Sequence, residues 1–151
     1  AERSKLARIW LFVIAISLHN FPEGLAVGVS FGSPDRAAGL ATATGIGLQN
    51  VPEGLAVALS LAAVGYGRVF SFSIALLTGL IEPVGGFLGV SAISLSSELL
   101  PWGLGFAGGA MIWVVSSEII PETHRDRQEG IATGALMVGL AVMMSLDWIF
   151  G

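Results

Sequence analysis

The sequence predicts an all-α fold, a polytopic transmembrane helix bundle with five helices in this chain, and three observations point to it. The 151 residues are 54% hydrophobic and only 12% charged, with mean hydropathy +0.80, whereas a soluble domain carries about 25% charged residues. Apolar runs long enough to cross a bilayer core, which takes about 20 helical residues, alternate with short polar breaks. The 21 glycines are scattered through those runs, as expected where helices pack closely in lipid through small residues. Barrel strands would alternate polar and apolar residues over about 10 positions, and these runs do not.

The first helix is expected over about 6–31, ending at Gly32-Ser33-Pro34-Asp35-Arg36. The second spans about 37–64 and stops at Gly65-Tyr66-Gly67-Arg68. The third covers about 69–95, with Ser96-Ser97-Glu98 and Pro101 as its break. The fourth takes about 102–120, before the polar stretch Pro121 to Glu129, and the fifth fills about 130–150. All five form one transmembrane domain over 1–151. Trp10, Trp102 and Trp148 fall near run ends, where aromatic belts sit, while Trp113 lies within the fourth run and is expected to pack. Serines such as Ser71 and Ser94 are expected to bond back to their own helices.

Basic residues set the orientation. Arg3, Lys5 and Arg8 precede the first helix, Arg68 follows the second, and Arg125 and Arg127 follow the fourth; Arg36 stands on the opposite side. By the positive-inside rule the start of the chain is cytoplasmic and its end is extracellular or periplasmic, in a plasma (inner) membrane. The net charge of −4 comes from few charges, most near segment ends, and gives no footprint for nucleic acid. Absence of cysteine excludes disulfides, iron–sulfur clusters and thiolate metal sites. The chain opens without an initiator methionine, and its first run is too long and too polar for a signal peptide, so a piece of a longer protein is expected.

Two stretches are near copies: Leu18-His19-Asn20-Phe21-Pro22-Glu23-Gly24-Leu25 and Leu48-Gln49-Asn50-Val51-Pro52-Glu53-Gly54-Leu55. Each places ligand-capable side chains inside an apolar run, where an unpaired carboxylate costs about 3 kcal/mol or more. Residues three and four apart share a helix face, so His19 and Glu23 form a pair beside Asn20, and Gln49, Asn50 and Glu53 repeat the layout. Pro22 and Pro52 free the carbonyls of Leu18 and Leu48 next to those ligands. Glu82, followed by Pro83 and by Gly85, Gly86 and Gly89, repeats the pattern in the third helix, with no lysine or arginine in the helix interiors to pair with it. Carboxylate, imidazole and amide donors together suit a borderline divalent cation such as Zn2+, with Cd2+, Fe2+ or Mn2+ as alternatives.

Both motifs, their spacing and the Glu82-Pro83 helix resemble the fourth to sixth transmembrane helices of bacterial-type ZIP (Zrt/Irt-like protein) divalent metal transporters. The resemblance spans essentially the whole chain and implies helices four to eight of an eight-helix protein, whose earlier helices would be partners of these. It implies a binuclear intramembrane metal site importing metal toward the cytoplasm. His19, Glu23, Gln49 and Glu53 would form one metal position, and Asn20, Asn50 and Glu82 the other, with Glu23 and Glu53 bridging. Many members carry histidine at the position of Gln49, and an acid is an alternative at that of Asn50; both departures lower donor charge and softness here. In this family the first three helices of this chain would belong to the moving bundle and the last two to the scaffold.

Other readings compete. The paired glutamates could share protons in a proton-coupled carrier of another substrate. An enzyme is unsupported: His19 is followed by Asn20, without the general-base glutamate and second histidine of His-Glu-x-x-His, and no nucleophile pairs with it. A sensor or packing subunit would need a soluble effector element. Glu118, Glu122 and His124, with Asp126 and Glu129, could form a secondary cytoplasmic metal stop or simply a solvated loop. The expected partners are divalent ions, the lipid bilayer and the preceding helices, with a homodimer as a candidate assembly.

Overall fold

The computed structural model describes residues 2–121 and 129–150. It is an all-α bundle, and no strand occurs among the described residues. α1 runs Glu2–Gly32, α2 Arg36–Ala63, α3 Arg68–Gly79, α4 Ile81–Leu95, α5 Leu100–Val114 and α6 Glu129–Phe150. A 3-10 turn over Ser97–Leu99 precedes α5, and a π-type turn over Val115–Ile119 follows it. Among the described residues, four stretches are long and apolar enough to cross a membrane: Lys5–Gly32, Arg36–Ala63, Arg68–Leu95 and Ser97–Ser117; α6 contributes the shorter apolar stretch Glu129–Val142.

Local chemistry fixes the ends. Asp35 caps α2, its Oδ1 accepting from the backbone N–H of Ala37 at 3.0 Å and of Ala38 at 3.1 Å, which satisfies two of the orphan donors of a first helical turn. Gly65 has φ 95°, a left-handed conformation that glycine adopts without a Cβ clash, and it turns the chain from α2 into α3. α1 continues through Pro22 and α2 through Pro52 without a break in either helix. The third span differs from the single helix expected over about 69–95. It divides at Leu80 into α3 and α4, three residues before Pro83, which has no N–H to donate to the Gly79 carbonyl and whose ring crowds it.

α1 is the centre of the bundle, contacting α2, α3, α4 and α5. Its tightest neighbour is α4, where glycines replace side chains at the contact. A Cβ on Gly24 would lie 2.0 Å from the Glu82 carbonyl oxygen, and one on Gly28 2.0 Å from that of Gly86. Gly85 and Gly89 meet the α1 backbone in the same way from the other side.

Two apolar clusters flank the middle of α1. Val13 and Ile16 pack with Val57, Leu61 and Ala75 toward its start, edged by Trp10 and Tyr66, whose indole N–H donates to the Tyr66 hydroxyl at 3.0 Å. Ala26 packs with Ile46 and Ala107 toward its end. The stretch His19 to Glu23 lies between them, with about 15–25 Å of helix on either side at 1.5 Å per residue. Two expectations fail here. Trp113 is 74% exposed rather than packed, and the Ser71 hydroxyl is buried without a partner, although Ser94 does bond back to the Val90 carbonyl at 2.8 Å.

Candidate metal centre

The i, i+4 spacing on α1 puts His19 and Glu23 on one face, and that face is turned inward: both are buried, with Glu23 0% exposed. His19 Nε2 stands 3.1 Å from Glu23 Oε1 and 3.8 Å from Glu53 Oε1, which α2 delivers from the opposite side. One ligand-capable atom from each of these three residues lies within 4.8 Å of the others, the spread of atoms that can share an ion. Glu53 is half-buried.

Gln49 and Asn50 are consecutive, so they leave α2 about 100° apart and serve different carboxylates. Gln49 Nε2 donates to Glu23 Oε1 on α1. Asn50 Nδ2 donates to Glu82 Oε2, at the start of α4, at 2.7 Å. Asn20 is held differently: its Nδ2 donates to the backbone carbonyl of Thr78 at 2.9 Å. A cavity of about 40 Å³ lies among Asn20, Asn50, Glu53, Thr78 and Glu82, enough for about two or three water-sized occupants.

The unsatisfied atoms point to what the arrangement can do. Asn20 Oδ1, Asn50 Oδ1, Glu23 Oε2 and Glu53 Oε2 are buried acceptors without a hydrogen-bond partner, as is His19 Nδ1. A buried polar atom left unpaired costs about 1–3 kcal/mol, and here five occur within one group of residues. Four are oxygens, which accept from donors or coordinate cations. Among the described residues no lysine or arginine lies within 4.0 Å of these carboxylates.

All seven residues singled out from the motifs, His19, Asn20, Glu23, Gln49, Asn50, Glu53 and Glu82, are thus connected directly or through one shared cavity. Thr78 was missed. Its carbonyl lies next to the end of α3, where the last carbonyls lose their helical partners, and Pro83 marks that break in the sequence by the same i−4 logic that applies to Pro22 and Pro52. The suggested secondary cluster is not placed: Glu122, His124 and Asp126 lie outside the described residues, as does the side chain of Glu118. Glu129 opens α6 and is exposed.

With this geometry in hand, comparison with known proteins is decisive. The sequence model of the ZIP zinc transporter family matches residues 2–147. The chain belongs to the ZIP family. Among ZIP relatives, zinc transporter GufA of Myxococcus xanthus is 58% identical over 141 residues, covering 93% of this chain and 56% of the relative. Zinc transporter ZIPB of Bordetella bronchiseptica is 49% identical, covering 99% of this chain and 48% of the relative. Human zinc transporter ZIP11 is 44% identical, covering 95% and 44% respectively. The chain spans about half the length of these ZIP relatives. Family membership and the apolar spans make it part of an integral membrane protein.

Proposed function

We propose that this chain is the metal-binding part of a transporter that carries divalent transition-metal ions, zinc foremost, across the membrane toward the cytoplasm. One observation carries the reading: a ring nitrogen of His19 and oxygens of Glu23 and Glu53 lie within 4.8 Å of one another, with His19 and Glu23 buried midway along α1 and Glu53 half-buried on α2. Imidazole plus two carboxylates is a donor set for zinc, and the relatives' names as zinc transporters favour that ion over the cadmium, iron or manganese the same donors would take.

His19, Glu23, Gln49 and Glu53 would hold one ion. Asn20, Asn50 and Glu82, around the cavity, would hold a second. The unpartnered Oε2 atoms of Glu23 and Glu53 support bridging, since each carboxylate keeps one oxygen for each ion. A hydrated ion entering from outside exchanges water for these donors and leaves toward the side of Arg8 and Arg68, the cytoplasmic side by charge distribution. α1 to α4 would move as the carrying unit, with α5 and α6 in the scaffold beside the helices that precede this chain, in a plasma membrane and as a candidate homodimer. Bound ligands must be deprotonated, so protons compete with the cargo and acid weakens binding.

Uptake of radioactive zinc by vesicles containing the full-length protein tests this. Glu23→Ala and Glu53→Ala abolish uptake, whereas Glu122→Ala, in the stretch proposed as a secondary stop, only reduces it. Normal uptake by both bridging-acid variants would defeat the proposal.

A further inference from the structure

On the reading that this site carries a divalent cation, we infer that Gln49 is two-faced. Its amide N–H takes the cation's place on Glu23 when the cargo has left, and its amide oxygen serves the cargo when it is bound.

Glu23 Oε1 is the point of competition. It lies 3.1 Å from His19 Nε2, and it accepts from Gln49 Nε2. A carboxylate oxygen only accepts, so an amide facing it must present its NH2 end. Amide hydrogens and a metal ion both carry positive charge and cannot share that oxygen from the same side. An ion seated on Oε1 toward α2 therefore displaces the NH2 group of Gln49. The terminal amide torsion is broad and roughly two-fold, so a half-turn replaces the NH2 by the carbonyl oxygen without moving α2.

The other two amides sharpen the assignment. Asn20 commits its NH2 to the Thr78 carbonyl and Asn50 commits its NH2 to Glu82, and in both the Oδ1 atom stays free. Neither has to turn to offer an oxygen. Of the three, Gln49 is the one whose donor end lies on an atom of the His19, Glu23 and Glu53 group. Glu23 is also the most deeply buried of the three acids, so it is the carboxylate that most needs a substitute partner when unloaded. Because Gln49 sits on α2 and Glu23 on α1, the bond also ties the two helices across the unloaded site. A carrier that delivers net cargo must return unloaded; one that swaps ion for ion need not. Gln49 therefore supports the return step more than the loaded step.

The test compares net uptake of radioactive zinc into zinc-free proteoliposomes with exchange into proteoliposomes preloaded with unlabelled zinc, using the full-length transporter. Gln49→Glu keeps an oxygen for the ion and removes the N–H. The ratio of net uptake to exchange is expected to fall about tenfold, the equivalent of losing one hydrogen bond to a charged group. Asn20→Asp adds the same charge without touching the donor to Glu23, and changes both rates in proportion. A wild-type ratio in Gln49→Glu, or an equal fall in Asn20→Asp, overturns the inference. Should Gln49→Glu carry no flux, thermal melting decides: its melting temperature drops in zinc-free buffer and saturating zinc closes the gap. The same gap with and without zinc would show a merely structural role. Failure of the wild-type protein to take up zinc would count against the cargo, not against Gln49.

Discussion

The glycines at the α1–α4 contact and all but Gly103 of those in α5 and α6 are the same residue in the same kind of apolar helix, yet their surroundings are opposite. Gly24, Gly28, Gly85 and Gly89 stand where a Cβ would run into backbone atoms, at 2.0 to 2.6 Å for the nearest atom at each position. Gly105, Gly108, Gly109, Gly134 and Gly139 have nothing within 4 Å of a Cβ. The spans follow suit: 56% of the most apolar stretch of the first span is buried, against 6% in Ser97–Ser117. The difference separates a precision contact that carries the site from helices that present open faces. Glu23 is followed by Gly24, and Gly24 packs on the backbone of Glu82 itself, so an approach matched only by Gly28 on Gly86 among the described glycines sets the distance between two acids of the candidate metal centre.

Gly24→Ala is the strongest way to break that contact. The new Cβ meets the Glu82 carbonyl, which is backbone and cannot rotate aside, so α4 must retreat. The expected cost is at or above the top of the about 1–3 kcal/mol that overpacking exacts, read as a fall in melting temperature of the full-length protein in detergent. Zinc uptake at equal surface expression should fall with it, because Glu82 leaves with α4. Undiminished stability and uptake would mean that the α1–α4 contact is looser than described.

Gly89→Ala separates packing from placement. Its Cβ would lie 2.6 Å from the Leu25 carbonyl and 2.9 Å from the Val29 nitrogen, two helical turns beyond Glu82. A loss of about 2 kcal/mol is expected, with zinc affinity of the folded protein falling less than in Gly24→Ala. Equal losses of affinity would mean that α4 shifts as one rigid piece, carrying Glu82 wherever it is pushed. Gly103→Ala should cost less, about 1 kcal/mol, since it meets the Val29 side chain at 2.9 Å, and a side chain can change rotamer where backbone cannot. A loss as large as that of Gly24→Ala would place α5 in the precise half of the molecule.

Much of the candidate site is legible in the sequence. The i, i+4 pair His19 and Glu23, the repeated motif with Glu53, and Glu82 without a basic partner mark the candidate donors because polar atoms in apolar helices must find one another. What periodicity does not carry is which helix face meets which. The sequence marks Gly85, Gly86 and Gly89 for close approach but not Gly24 and Gly28 as their counterparts, and it assigns packing roles to glycines of the later helices that face open space in this chain. The division of the third span at Leu80 was hidden because Leu80 itself is apolar and continues the run. The direction of each amide was equally hidden: Asn20, Gln49 and Asn50 read alike as donors of oxygen, and only the positions of Thr78, Glu23 and Glu82 show where their nitrogens go.

The smallest effect tests the open half. Gly109 is exposed on α5, with no atom within 4 Å of a Cβ at that position. Alanine there adds no clash and reduces the freedom lost when the helix forms, so Gly109→Ala is expected to stabilise by about 0.5–1 kcal/mol, seen as a slightly raised melting temperature with unchanged zinc uptake. The sign matters more than the size. A loss of stability would require atoms close to Gly109 that the described residues do not supply, such as another helix of the full-length protein seated on that face. α5 would then have a glycine contact beyond that of Gly103 with Val29, and the contrast between the two halves would describe this chain rather than the full-length protein.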